Sequence, residues 1–202
     1  MTLDRFRHVA DRLLEPFVDA SERLGLTPDG VSVVAAALAL GAGVAFALGG
    51  RAPPLYLLGA ALVFLNGWLD ILDGALARRL GTESRAGDLL DHVLDRYADV
   101  VVLCGLAAGV GRYAIGLAAV TGVLMTSYLG TQAQAVGLDR VYGGLIGRAD
   151  RLVLIGLAGV MAAFVRGSLY GLTLVGWLLV FFAVVGHLTA LQRFYHAMRA
   201  LR

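Results

Sequence analysis

The chain has 202 residues, 58% of them hydrophobic and only 16% charged, with a mean hydropathy of +0.76. Soluble domains carry about 25% charged residues, so the composition points to an integral membrane protein forming one domain over 1–202. The net charge of +2 is too small to argue for nucleic acid, and the single Cys104 excludes an internal disulfide.

The N-terminal stretch MTLDRFRHVADRLLEPF lacks the unbroken apolar segment and cleavage site of a signal peptide. Within residues 3–25, Leu3, Phe6, Val9, Ala10, Leu13, Leu14 and Phe17 recur at helical spacing, with Asp4, Arg5, Arg7, Asp11 and Arg12 between them. This pattern predicts an amphipathic helix lying on the membrane surface, with a soluble cap packed on the remaining helices as the alternative. LTPDG, residues 26–30, ends that helix and turns the chain into the first span.

Six apolar runs follow, at 31–49, 55–77, 89–110, 113–136, 152–165 and 169–191. A helix needs about 20 residues to cross the hydrocarbon core. The second and third runs reach that length only with their acidic ends included, and the short fifth run needs Asp150 and Arg151. Backbone groups in lipid must bond within their own segment, so the expected fold is an all-α integral membrane bundle of six transmembrane helices over 31–191. All basic residues are arginines. With both termini inside, Arg5, Arg7, Arg12, Arg23, Arg78, Arg79, Arg85, Arg140, Arg148, Arg151, Arg193, Arg199 and Arg202 fall on the inner side. Only Arg51, Arg112 and Arg166 fall outside, which satisfies the positive-inside rule for a multi-pass cell-membrane protein with cytoplasmic termini.

The stretch DILDGALARRLGTESRAGDLLDHVLD, residues 70–95, places acids beside apolar runs, where a carboxylate is costly and therefore a functional hypothesis. Asp70 and Asp73 share one helix face, and Asp91 and Asp95 share a face of the next. The short connection predicts two antiparallel neighbouring helices whose four carboxylates converge near the cytoplasmic end. Left alone they would repel one another. Hard oxygen donors without paired His or Cys favour Mg²⁺ or Mn²⁺ over zinc. The alternative is a solvated rim of ion pairs with Arg78, Arg79, Arg85 and Arg96. Gly74 offers bare backbone for close approach of a ligand, Asp88 is expected to cap the second helix, and His92 points to another face. Asp99 follows one turn after Asp95, as a supporting acid or a partner of Arg96. Cytoplasmic placement of the acids and the lack of an internal repeat argue against an ion-coupled transporter.

These residues resemble the signature of CDP-alcohol phosphotransferases, also called CDP-alcohol phosphatidyltransferases. Every signature position is filled, by Asp70, Asp73, Gly74, Ala77, Arg78, Gly87, Asp91 and Asp95. The resemblance implies a six-helix fold with a surface N-terminal helix, a homodimer and two metal ions per site. Asp70, Asp73 and Asp91 would hold one ion, and Asp91 and Asp95, helped by the first pair, the other. The ions would grip the diphosphate of a CDP-linked lipid, CDP-diacylglycerol or CDP-archaeol, with CMP leaving. Asp95 would take the proton of the attacking alcohol. Gly74, Ala77, Arg78, Ser84 and Gly87, together with Thr27, Pro28, Asp29 and Gly30, would contact the nucleotide.

A second polar region covers 127–154, where Gly143 and Gly144 mark a turn and Arg148 and Arg151 lie one helical turn apart. Two forked cations at that spacing suit a phosphate, or serve as membrane anchors. Ser127, Tyr128, Gly143, Gly144, Arg148 and Arg151 are similar to the pattern of phosphatidylinositol phosphate synthases and archaetidylinositol phosphate synthases within the family, and Arg193 would join the same pocket. The resemblance thus implies a phosphorylated polyol as acceptor, inositol phosphate first and glycerol 3-phosphate as the competitor. Gly130 and Gln132 stand where that pattern has cations, and Gln134 where it has an acid, which predicts weaker binding of inositol phosphate or another polyol.

Overall fold

The computed structural model describes residues 7–139 and 144–202. Leu3, Asp4, Arg5 and Phe6 of the amphipathic pattern, and Arg140 and Gly143 of the second polar region, lie outside the described residues. Seven helices are seen among those described: α1 (Arg7–Arg23), α2 (Pro28–Gly49), α3 (Pro54–Leu80), α4 (Arg85–Val110), α5 (Tyr113–Ala135), α6 (Arg148–Phe164) and α7 (Leu174–Ala200). Of these, α2, α3, α5 and α7 are long and apolar enough to cross a membrane. The other two expected spans depart from that profile for opposite reasons. α4 carries Asp95, Arg96 and Asp99 within its length, and α6 has only 17 residues.

Local chemistry sets the helix ends. Thr27 caps α2 by accepting from the Gly30 amide at 3.2 Å, with Pro28 in the first turn. α3 ends at Gly81, whose φ of 63° is the left-handed conformation that terminates helices. Ser84, rather than Asp88, caps α4, accepting from the Gly87 amide at 3.0 Å. Ser84 is the last residue with extended backbone, so its hydroxyl and not the Asp88 carboxylate faces the free amides.

The last helix begins five residues later than its apolar run. Residues 168–173 form a two-stranded antiparallel hairpin, β1 (Ser168–Leu169) and β2 (Leu172–Thr173). Positive φ at Tyr170 and Gly171 makes the tight turn. Trp177 donates to the Leu169 carbonyl at 3.0 Å and Arg112 to the Gly171 carbonyl at 2.7 Å, which tie the hairpin down.

α3 and α4 are joined by a short turn, yet they do not pack as direct neighbours. α2 packs along both. The cause lies in small residues: a Cβ at Gly105 would sit 2.1 Å from the Gly43 carbonyl oxygen, and one at Gly109 2.2 Å from that of Phe46. Glycines four apart on α4 therefore let its backbone rest on that of α2, the small-residue mode of membrane helix packing. α5 packs on α7, and α6 on α3. The core gathers at these contacts around Phe46, Leu103, Leu106, Leu179 and Phe182.

The apolar face of α1 is divided. Leu14 and Val18 are buried with Val31, Leu72 and Leu76, and Phe17 meets Trp68 edge-on at 5.2 Å. Leu13 of α1 and Leu24 just beyond its end are exposed. Arg79 of α3 clasps Asp19 at 2.8 Å and approaches Glu22 at 3.6 Å.

Candidate active site

α3 presents Asp70 and Asp73, and α4 presents Asp91 and Asp95. All four line one small polar cavity, together with Ser32 and Asn66. One oxygen each of Asp70, Asp91 and Asp95 lies within 4.8 Å of the others. Asp73 is held aside, its carboxylate accepting a 2.5 Å hydrogen bond from the Ser32 hydroxyl. Asn66 fastens α3 to α2 by donating to the Ala35 carbonyl at 2.9 Å.

The opposing charge comes from α6. Arg148 reaches Asp70 Oδ2 with Nη1 and Asp95 Oδ1 with Nη2, each at 2.6 Å. The cradle thus already seats a forked cation between acids of two helices. An all-oxygen donor set that gathers around positive charge fits a hard divalent ion such as Mg²⁺ or Mn²⁺.

A larger cavity of about 460 Å³ opens beside it and shares Ser32, Asp73 and Asp91 with the first. Its volume suits a nucleotide-sized ligand. The expected Pro28, Asp29, Gly74, Ala77, Arg78, Ser84 and Gly87 all line it. Thr27 and Gly30 do not: they are spent on each other as the cap of α2. Ser32, Thr82, Glu83, Arg85 and Asp88 also line the cavity and were not anticipated. Ser32 had a usable signal, as a lone hydroxyl in an otherwise apolar span. A Cβ at Gly74 would make only ordinary contact with Arg78 Nη1 at 3.5 Å, so packing does not require the bare backbone there. Gly87 is crowded, with Asp29 Oδ1 and Ser84 Oγ both 3.3 Å from where a Cβ would be.

The expected acceptor residues lie on the far side of Asp95. Arg148 and Arg151 do not stand as an open pair of phosphate forks. Arg148 is taken by the two acids, and Arg151, 3% exposed, is paired with Asp99 at 2.8 Å. A buried guanidinium requires a counter-charge, and these carboxylates supply it. Each still has a buried Nε without a hydrogen-bond partner among the described residues. Ser127 accepts from Arg96, and Arg193, also buried, donates to the Thr126 carbonyl at 2.7 Å. His92 sits 3.6 Å from both Asp88 and Asp91, too far for a hydrogen bond.

The profile of the CDP-alcohol phosphatidyltransferases matches residues 25–187. The chain belongs to that family. It is a transferase of a membrane-embedded class. The archaetidylinositol phosphate synthase of Methanothermobacter thermautotrophicus is 30% identical over 99% of this chain and 96% of its own length. The phosphatidylinositol phosphate synthase of Mycobacteroides abscessus is 34% identical over 96% of this chain and 86% of its own. Among solved structures, Mycobacterium tuberculosis phosphatidylinositol phosphate synthase with CDP-DAG bound superposes with a TM-score of 0.78 at 27% identity, covering 92% of this chain and 94% of that one. The same mycobacterial enzyme has been solved with manganese and citrate, again with a TM-score of 0.78.

Proposed function

We propose that the protein is a phospholipid-headgroup synthase that transfers a phosphatidyl or archaetidyl group from a CDP-linked lipid to inositol phosphate, releasing CMP. One observation carries this reading. The oxygens of Asp70, Asp91 and Asp95 converge within 4.8 Å at the edge of a nucleotide-sized cavity. The relatives named for inositol phosphate products, aligned over nearly the whole chain, support that acceptor ahead of glycerol 3-phosphate.

We infer six spans with cytoplasmic termini, which would set the cavity at the inner leaflet, and an interfacial α1 with Leu13, and Leu24 just beyond its end, toward the acyl chains. α3 and α4, with 27 and 26 residues, are each about 40 Å long, against roughly 30 Å of hydrocarbon. Their acidic ends therefore reach the headgroup layer, where a lipid diphosphate resides. A second copy of the chain completes the expected homodimer.

Asp70, Asp73, Asp91 and Asp95 are the residues to hold the divalent ions. Bound there, the ions would neutralise the diphosphate and stabilise attacking and leaving oxygens. The cytidine nucleotide fills the cavity of Pro28, Asp29, Gly74, Ala77, Arg78 and Gly87. Asp95, the deeper of the two converging acids of α4, removes the proton of the acceptor hydroxyl as that oxygen attacks the phosphorus nearest the lipid. The bond to the CMP phosphate breaks, and CMP leaves with the electron pair. Arg148, Arg151, Arg193 and Ser127 orient the acceptor phosphate. CMP release from CDP-diacylglycerol and CDP-archaeol, against inositol phosphate, glycerol 3-phosphate, inositol and serine, tests the assignment. Release with inositol phosphate supports it, and release with glycerol 3-phosphate alone overturns it.

A further inference from the structure

Asp99 is a buried carboxylate that the reaction above does not use. One oxygen, Oδ2, lies 3.2 Å from Arg96 Nη1 and 2.8 Å from Arg151 Nη2. Arg96 comes from the same helix three residues earlier, and Arg151 from α6. Asp99 is the carboxylate they share, and two guanidinium groups this close would repel without it. The Arg96 fork is also the donor to Ser127 Oγ, and its Nη2 stands 3.6 Å from Asp95 Oδ2. Arg96 therefore lies between two acids one helical turn apart. Asp99 takes the nearer contact and leaves Asp95 the longer one. With Asp99 neutral, Arg96 would turn to Asp95, setting a second cation beside Arg148 on the base and withdrawing from Ser127. Arg151 would lose its only counter-charge among the described contacts.

We propose that Asp99 is a positioning residue for the acceptor half of the site, acting through Arg96 and Arg151 and touching no substrate. The proposal rests on the transferase reading and on Ser127 and Arg151 serving the acceptor. None of Arg96, Asp99, Ser127 or Arg151 lines the nucleotide cavity, so the effect on the two substrates must divide.

The test compares the wild type with Asp99→Asn, Ser127→Ala and the double variant, reading kcat and both KM values from CMP release. Asp99→Asn should raise the acceptor KM about tenfold or more, the scale of a lost charge-assisted contact, and lower kcat. The KM for CDP-diacylglycerol should stay within about twofold, since a position that serves only one substrate moves only that KM. On the Ser127→Ala background the same change should cost less, because both act through Arg96. Equal rises in both KM values, an unmoved acceptor KM, or fully additive effects would overturn the proposal. If Asp99→Asn does not accumulate as folded protein, Arg96→Gln removes the cation that Asp99 holds and must give the same split. A wild type that uses glycerol 3-phosphate and not inositol phosphate sinks the acceptor assignment alone, and the split is then read with glycerol 3-phosphate.

Discussion

The two sides of Asp95 are built on different physical principles. Toward the α3–α4 turn lies an open cavity of about 460 Å³, walled by α2, the end of α3 and the start of α4. Its residues belong mostly to one contiguous stretch, and few of their side chains are engaged with one another. Away from the turn, Arg96, Asp99, Ser127, Arg148, Arg151 and Arg193 come from four helices and are tied by ion pairs and hydrogen bonds. The difference teaches that an open pocket can be carried by local geometry, while a cluster of buried cations has to be assembled with its counter-charges in place.

The largest effects should fall on the acids that both sides share. Asp95→Asn should cut transfer by about 10²–10⁴-fold, the contribution of a positioned base, with CDP-diacylglycerol still bound, as read by equilibrium binding of the labelled lipid. Substantial turnover would remove Asp95 as the base. Asp70→Asn or Asp91→Asn should abolish Mn²⁺ binding, followed by the spin resonance of the free ion, together with CMP release. Retained ion binding would break the link between the three converging oxygens and the metal.

Gly105→Leu should rank next, on the helix crossing that supports both sides. With backbone 2.1 Å from the new Cβ, α4 must move off α2. The loss should exceed the about 1–3 kcal/mol of ordinary overpacking, seen as a lowered Tm in detergent. Arg148→Ala sharpens the contrast, because it should raise the acceptor KM about tenfold or more, the scale of a lost charge-assisted hydrogen bond, and raise the CDP-lipid KM less, through the freed Asp70 and Asp95. The smallest effect belongs to Arg79→Ala. Its partners on α1 are half exposed, so the pair should contribute about 0.2–1 kcal/mol, a Tm shift of a degree or two, with activity retained.

The legibility of the chain follows the same division. The acid spacing lies within one turn of each helix and the connection between the helices is short, so Asp70, Asp91 and Asp95 could be placed together, although α3 and α4 do not pack directly as that argument expects. The diversion of Asp73 to Ser32 could not, because it depends on how α2 packs. Nor could the sequence distance between Asp99 and Arg151 reveal an ion pair spanning α4 and α6. The forks of Arg148 and Arg151 read as open because spacing on a helix reports direction and not the counter-charge waiting there. Two errors had signals that were present. Tyr170-Gly171 is a turn pair inside what reads as an apolar run, and Gly105 and Gly109 stand four apart, as a close helix crossing requires.

That crossing has a consequence for how the enzyme can change. Where two main chains touch without intervening side chains, no rotamer remains to absorb a small rotation or slide. The height of Asp91 and Asp95 above Ser32 is therefore set by the polypeptide itself. Any adjustment would then fall to the arginine-bearing helices α6 and α7, with the cavity walled by α2, α3 and α4 as the fixed reference.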